Sequence, residues 1–591
     1  MGRAVKDRGS GATDVAGDCR HAPAALREAE LPVCERRGTP RGGGPHVLPG
    51  QPGTFGGAPS GADRAGAGRD GALPGGASAA RGGGQRGPGV VGGTPETAGL
   101  SEPFSASDAR YRSLVGFLRD PQAAGLTHDQ LEDHLDIDGR ALLRQLLQDH
   151  LDVRAKRERR ASGVVDEHGD CHAAVEAGHV RKLETIFGEV TVTRLAYRAK
   201  GSQNLHLQDA ALNLPTERHS HGLRERCAIE ATRGSYEEAQ AALARATGVE
   251  IGKRQVEGLA RRAAADVVAF YQQLEREGAE ETDALVISAD GKGIVMRPDS
   301  LRPATRRKAR SSAHKLKTRL SKGEKRDRKR MAELAVVYDC TPVPRTATDI
   351  LPGEGEKRPE APAARVKWCT ASVVEDAGVV IKAAFDEAER RDPQHLRPWV
   401  ALVDGNNHQI AVIRAEARRR GINIAVLVDI VHVLEYLWSA AWCFFSEGDP
   451  QAETWVKDKA LAVLEGKAGL VAGAIARKAT MLRLSATARK KADESARYLK
   501  NKQPYLDYPK ALSSGWPIAT GVIEGACRHI VRDRFDITGA RWSLDGAEAM
   551  LKLRTVKQNG DWPDYWRHHL TAEHQRVHAT RYANGVIPTA A

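Results

Sequence analysis

Apolar and polar positions divide the chain into an aperiodic tract, a helical tract and a long tract in which β-branched runs alternate with helical ones. Residues 1–104 are rich in Gly, Ala, Pro and Arg, with few large apolar residues and no period. Such a segment cannot bury enough surface to offset chain entropy, so it is expected to be a disordered arm. Two readings stay open for it, a flexible basic arm or a start assigned too far upstream; no Met lies between Met1 and Met296. Over 105–174 the spacing is helical. Leu114, Phe117 and Leu118 form one apolar face, and Leu142, Leu143, Leu146 and Leu147 form another. Residues 175–275 begin with a β-hairpin, because Arg181–Tyr197 alternates on both sides of Gly188. A helix follows, opened by the capping-box pattern Ser235-Tyr-Glu-Glu238, broken at Thr247-Gly248 and resumed from Gly252. Helix, Gly turn, and a second helix with basic and amide residues at its start is the helix-turn-helix pattern. It makes Lys253, Arg254 and Gln255 candidate major-groove contacts, although many helical hairpins read the same way.

The stretch Asp283-Ala-Leu-Val-Ile-Ser-Ala-Asp290-Gly-Lys-Gly-Ile-Val-Met296 is an apolar run that ends on a carboxylate. It predicts a buried strand, a tight turn on Gly291 and Gly293, and a second strand. An ionised Asp290 at a core edge is costly unless donors or a cation compensate, so it is either a satisfied structural residue or a metal ligand. Leu301–Arg330 is packed with Lys and Arg, including Arg306, Arg307, Lys308, Lys315, Lys317, Arg319, Lys325 and Arg326. Such a run self-repels without a polyanion, and it reads as a mobile loop that orders on DNA, with a solvated insertion as the plain alternative. Leu334–Tyr338 predicts a strand, and Trp368–Val374 either a strand or a helix start. Val400-Ala-Leu-Val-Asp404-Gly then repeats the strand–carboxylate–Gly theme, with a helix expected from Gln409 to Arg420. Ile424-Ala-Val-Leu-Val-Asp429 is a third such strand, followed by His432, Glu435, Tyr436 and Trp438 at helical spacing. Sites in open α/β sheets form outside the carboxyl ends of strands, so three strands ending in Asp suit one acidic pocket. Residues 433–514 read as an uninterrupted helical insertion. Gly515–Arg534 turns on Gly and opens a helix with Glu524 in its first turns, where the dipole favours an anion; Arg528 at i+4 would otherwise be its ion-pair partner.

A net charge of +13 favours a polyanionic partner, most simply nucleic acid; a solvated basic surface is the plain alternative. The eight cysteines include no Cys-x-x-Cys pair, which argues against a zinc ribbon or disulfide framework and fits a reducing cytosol. No apolar signal segment occupies the first 30 residues. The most apolar stretch, Asn423–Phe445, carries Asp429, His432 and Glu435, so no membrane association is expected.

Taken jointly, these motifs resemble those of insertion-sequence transposases of the Asp-Asp-Glu type, closest to the ISKra-type family. The carriers are Ala289-Asp290-Gly291, Val403-Asp404-Gly405-Asn406, Asp429-Ile-Val-His432-Val-Leu-Glu435-Tyr436-Leu-Trp438 and Gly521-Val-Ile-Glu524-Gly-Ala-Cys-Arg-His529. Thr538-Gly-Ala-Arg541-Trp542, Ala211–Pro215 and Ser220-His-Gly222 also match, and the resemblance spans roughly 175–575. It implies an α/β fold: a ribonuclease-H-like catalytic domain over 280–432, the helical insertion at 433–514, the last catalytic helix within 515–557 and a C-terminal tail over 558–591. It implies that Asp290, Asp404 and Glu524 are catalytic residues holding Mg2+ or Mn2+ for cleavage at terminal inverted repeats and strand transfer into target DNA. Asp429, His432, Arg528 and His529 would be accessory, and Arg306–Lys308, Arg541 and Trp542 would join Lys253–Gln255 on DNA. Asp429 competes with Asp404 for the second metal position; Asp404 is favoured because the Asp-x-x-His motif starts at Asp429. A homodimer or higher oligomer on DNA, in a bacterial cytoplasm at the nucleoid, is expected. Three other readings stay open: a two-metal nuclease without strand transfer; an inactive transposase-derived DNA-binding protein, against which the retention of all three acids speaks; and a purely structural acidic core, which leaves the basic loop and the three strand-end carboxylates unrelated.

Overall fold

The computed structural model describes residues 102–589, apart from 276–281, 312–327, 354, 358 and 538. The arm expected over 1–104 therefore lies almost wholly outside the described residues, as do Lys315, Lys317, Arg319, Lys325, Arg326 and Thr538.

Two helices open the described chain, α1 (Ser105–Arg119) and the long α2 (His128–Arg157). They precede an antiparallel hairpin, β1 (Ala174–Thr185) and β2 (Gly188–Arg198), that turns where Gly188 predicts. Leu151 of α2 closes with Leu183, Val190 and Val192 into a small separate core. Three helices follow: α3 (His221–Arg233), α4 (Tyr236–Thr247) and α5 (Lys253–Ala263). The capping box forms as expected, with Ser235 and Glu238 each satisfying the other's backbone N–H. Val256, Leu259, Ala260 and Ala263 of α5 are buried in the same core as the central sheet, so these helices are packed onto the sheet body.

The centre is a mixed α/β arrangement: a five-stranded sheet in the order β5-β4-β3-β6-β7, with helices flanking it. Its strands are β3 (Ala284–Val295), β4 (Lys329–Cys340), β5 (Ala364–Ser372), β6 (Trp399–Val403) and β7 (Ile424–Val428). The first three pair antiparallel; β6 runs parallel to β3, and β7 parallel to β6. Helices α6 (Ala377–Arg391) and α7 (Asn407–Arg420) make the crossovers.

One local expectation is corrected. Residues 284–296 are not a hairpin; β3 runs unbroken through Gly291 and Gly293, paired to Glu333 and Met331. A Cβ on Gly293 would sit 2.8 Å from Lys329 Cδ, and one on Gly291 3.0 Å from Met331 Cε. Glycine serves cross-strand crowding here rather than a turn.

Beyond β7 come α8 (Ile430–Ala441) and the insertion helices α9 (Pro450–Leu464), α10 (Ala468–Met481) and α11 (Lys490–Lys502). The chain returns to the sheet through α12 (Gly521–Ala526), whose axis continues as a π-turn over Cys527–Arg532. Then α13 (Leu544–Asn559) packs on β5, and α14 (Trp562–Val577) follows.

Trp542 was expected on DNA and instead lies in the core, 5% exposed. Its N–H donates to the Val295 carbonyl and its own carbonyl accepts from Arg297, which pins the segment to the end of β3. Its ring packs on Phe535 at 4.4 Å and under the Arg534 guanidinium at 4.7 Å. Trp542→Ala is expected to lower stability by about 3–5 kcal/mol in urea unfolding, as loss of a buried aromatic does. A change within about 0.5 kcal/mol, normal for surface positions, would contradict this placement.

Candidate metal centre

The parallel registers decide where the acids fall. Ser288 stands opposite Leu402, and Val403 opposite Val428. Each register continued by its constant offset sets Asp290 level with Asp404, and Asp404 level with Asp429. β3, β6 and β7 thus deliver carboxylates in one row across the sheet; Asp404 and Asp429 follow their strand ends as expected, whereas Asp290 lies within β3, which continues to Val295. Glu524 approaches from α12, which packs across β3 and β4.

Each acid is held differently. Asp290 is half-buried; its Oδ1 accepts from the Gly291 N–H and its Oδ2 from the Cys527 thiol at 3.3 Å. Asp404 is half-buried, with its Oδ1 accepting from the Asn406 N–H at 2.7 Å. The turn after it demands glycine: Gly405 has φ +92°, and a Cβ would meet the Tyr498 hydroxyl at 2.8 Å. Tyr498 stacks on Tyr436 at 3.8 Å, so the insertion helix α11 braces the Asp404 turn. Asp429 is fully buried and caps α8, accepting from the Val431 N–H at 2.9 Å. Its Oδ2 accepts from the Thr520 hydroxyl at 2.5 Å and contacts His432 Nδ1 at 3.1 Å. Thr520 also reaches Glu524 Oε1 at 3.3 Å, so one hydroxyl joins two acids.

Asp429, His432 and Glu524 offer one ligand atom each within 4.8 Å of one another, close enough to hold one metal ion together. Asp290 and Asp404, two of the three expected ligands, are not members of that group among the described residues, but they stand within electrostatic range of it. Burial raises the Asp404 carboxyl above its ordinary value, and the charges of Asp290 and Asp429 add to this against the Asn406 N–H and His432. Glu524 is exposed at the rim of the group, yet partial desolvation raises it too, helped by Asp429 and Asp290 and opposed by His432 and Thr520. Glu333, opposite Gly291 on β4, is raised by burial and by Asp290. Crowded carboxylates that resist charging suit a divalent cation. Asp429 has its oxygens committed to donors, whereas only Oδ1 of Asp404 is committed.

The remaining candidates divide. His529 pairs with Asp533 at 3.1 Å on an exposed surface rather than with any acid of the cleft. Arg528 is exposed and makes no ion pair with Glu524 among the described contacts. Lys253 pairs with Glu237, and the Gln255 amide oxygen caps Gly252, which leaves Arg254 and Arg541 as exposed cations of those two groups. Arg306 is bound to the carbonyls of Pro298 and Asp299, while Arg307 and Lys308 are exposed on the short helix Pro303–Ser311. Sequence reasoning passed over Glu333, Thr520, Cys527 and Tyr498. Only Thr520, an oxygen-bearing residue just before a helix, carried a local signal.

No protein-family model matches the chain, and no curated protein matches it in sequence. Among the described residues, no helix is long and apolar enough to cross a membrane.

Burial alone would lower the His432 pKa, but the hydrogen bond and charge of Asp429, with Glu435 and Asp404 behind, raise it to about 9. A raised folded pKa contributes stability that is full below the ordinary value of 6.5 and is lost as pH rises through about 9. Without divalent metal, unfolding free energy is therefore expected to fall across that window. His432→Gln should remove that component, as read by urea titrations at stepped pH; an unchanged profile in the variant would show that His432 is not the group.

Proposed function

We propose that this chain is a metal-dependent DNA transposase of the Asp-Asp-Glu type, built on a ribonuclease-H-like domain. Three antiparallel strands followed by two parallel ones, with a terminal helix bringing in the last acid, support that fold. The observation that carries the activity is the row that the parallel registers make of Asp290, within β3, and Asp404, just past the end of β6, with Glu524 brought near by α12.

In this reading Asp290, Asp404 and Glu524 hold Mg2+ or Mn2+ together, hard cations suited to carboxylate oxygens. Bound there, two such ions supply Lewis acidity and activation of the attacking oxygen for in-line displacement at phosphorus. The protein's own groups have distinct tasks. Asp429 fixes His432 through Nδ1, leaving Nε2 as the remaining donor for a phosphate oxygen. Thr520 holds Glu524 in line with Asp429. Tyr498 and Gly405 fix the turn that carries Asp404. Exposed Arg254, Arg307, Lys308 and Arg541 and the net charge of +13 supply phosphate contacts, so DNA affinity should fall steeply with salt. The partners are double-stranded DNA ends and a target duplex.

Asp290→Asn, Asp404→Asn and Glu524→Gln are each expected to reduce Mg2+-dependent cleavage of terminal-repeat DNA at least about a thousandfold, a loss of about 4 kcal/mol of transition-state stabilisation. DNA retention in gel shifts should survive. A plasmid joining assay separates transposition from simple nicking, since strand transfer links a 3′-hydroxyl to the target. Cleavage without joining would replace the proposal with a nuclease, and full activity in all three variants would remove the site.

A further inference from the structure

The helix α2 carries a surface that the metal centre does not use. One face of α2 packs on the hairpin, where Gln148 exchanges hydrogen bonds with Thr191 and Leu151 enters the small core. A second face packs on α1, through Asp149 to Ser107 and through the His134 and Phe117 rings at 4.6 Å. A third face has neither neighbour. Leu135, Gly139, Leu143 and Leu146 recur on it at helical spacing. The three leucines are 42%, 46% and 39% exposed, and nothing lies within 4 Å of where a Gly139 Cβ would stand. On α1, Tyr111 and Leu118, one heptad apart, are also exposed.

Charge along α2 selects the occupant. From His128 to Asp138 the helix carries Asp129, Glu132, Asp133, Asp136 and Asp138 and no Lys or Arg. Its far end carries Arg154, Lys156 and Arg157. The acidic half repels nucleic acid, and a parallel copy would set like charge on like. An antiparallel copy sets each acidic end on the basic end of the other. Centred between Gly139 and Leu143, that pairing puts Gly139 on Leu143 of the second copy and brings Leu135 next to its Leu146. It brings Asp129 beside the second copy's Arg154 and Glu132 beside its His150. The open space at Gly139 lets the two helices approach closely near the axis.

We propose that this face of α2 is a twofold self-association surface, occupied by α2 of a second copy of the chain in antiparallel register. The two α1–α2 pairs then form a four-helix bundle with an isologous interface. The proposal rests on the patch and its charges, and is independent of the chemistry in the cleft.

Sedimentation equilibrium of the full chain tests it. The wild type should have twice the chain mass. Leu143→Glu with Leu146→Glu should weaken association at least about tenfold, with the helical circular dichroism kept because both side chains are partly exposed. Asp129→Arg and Arg154→Glu should each weaken the dimer, and the two together should restore it, since antiparallel pairing sets those two charges beside one another. A monomeric wild type, an unaffected dimer in the leucine variant, or no restoration in the double reversal would overturn the proposal.

Discussion

Like-charged carboxylates forced into one cleft are the constraint on which this structure turns. Asp290, Asp404 and Asp429 share a row because β3, β6 and β7 run parallel in fixed register, and Glu524 is carried to them by α12. Four such charges repel in a partly buried site. The protein relieves the repulsion in three ways. Asp429 is saturated with donors, His432 is held as a cation, and Asp404 and Glu524 are pushed towards their neutral forms. A divalent cation removes the same repulsion more completely, and that preference is the physical content of the proposed activity.

Other features follow from keeping that cleft in shape. Asp429 and Thr520 tie the start of α8 to the start of α12, although the whole helical insertion separates them in the chain. Tyr508, fully buried, donates to the Val428 carbonyl at 2.8 Å and anchors the returning segment under β7. Away from the cleft, at the starts of β3 and β6, buried Arg391 and Arg397 converge on Asp339, with Glu387 completing the network. A buried ion network of this kind is weak evidence for stability, but breaking it would leave an uncompensated charge. The sheet is thus latched at one end and acidic at the other.

Much of this was legible in the chain because the signals were local. Apolar runs ending on Asp404-Gly and Asp429 mark strand ends, and Ser235 with Glu238 marks a helix start. Helical periodicity marks the insertion. What failed depended on partners distant in sequence. Gly291 and Gly293 read as a turn because nothing local says that Met331 and Lys329 crowd them from β4. Glu333 had no reason to be singled out until strand pairing set it opposite Gly291. Trp542 was placed on DNA by the resemblance alone, and its burial depends on Arg534, Phe535 and the end of β3. The register that aligns Asp290 with Asp404 is likewise a property of the sheet and not of either strand.

Manganese binding measured by electron paramagnetic resonance tests the central claim most directly, because it reads the cleft without DNA or turnover. The account predicts that the wild-type chain takes up Mn2+ and that Asp404→Asn combined with Glu524→Gln abolishes the bound signal while the fold is retained. Equal Mn2+ uptake by the double variant would contradict it, and the gathered acids would then be a structural cluster held by donors alone.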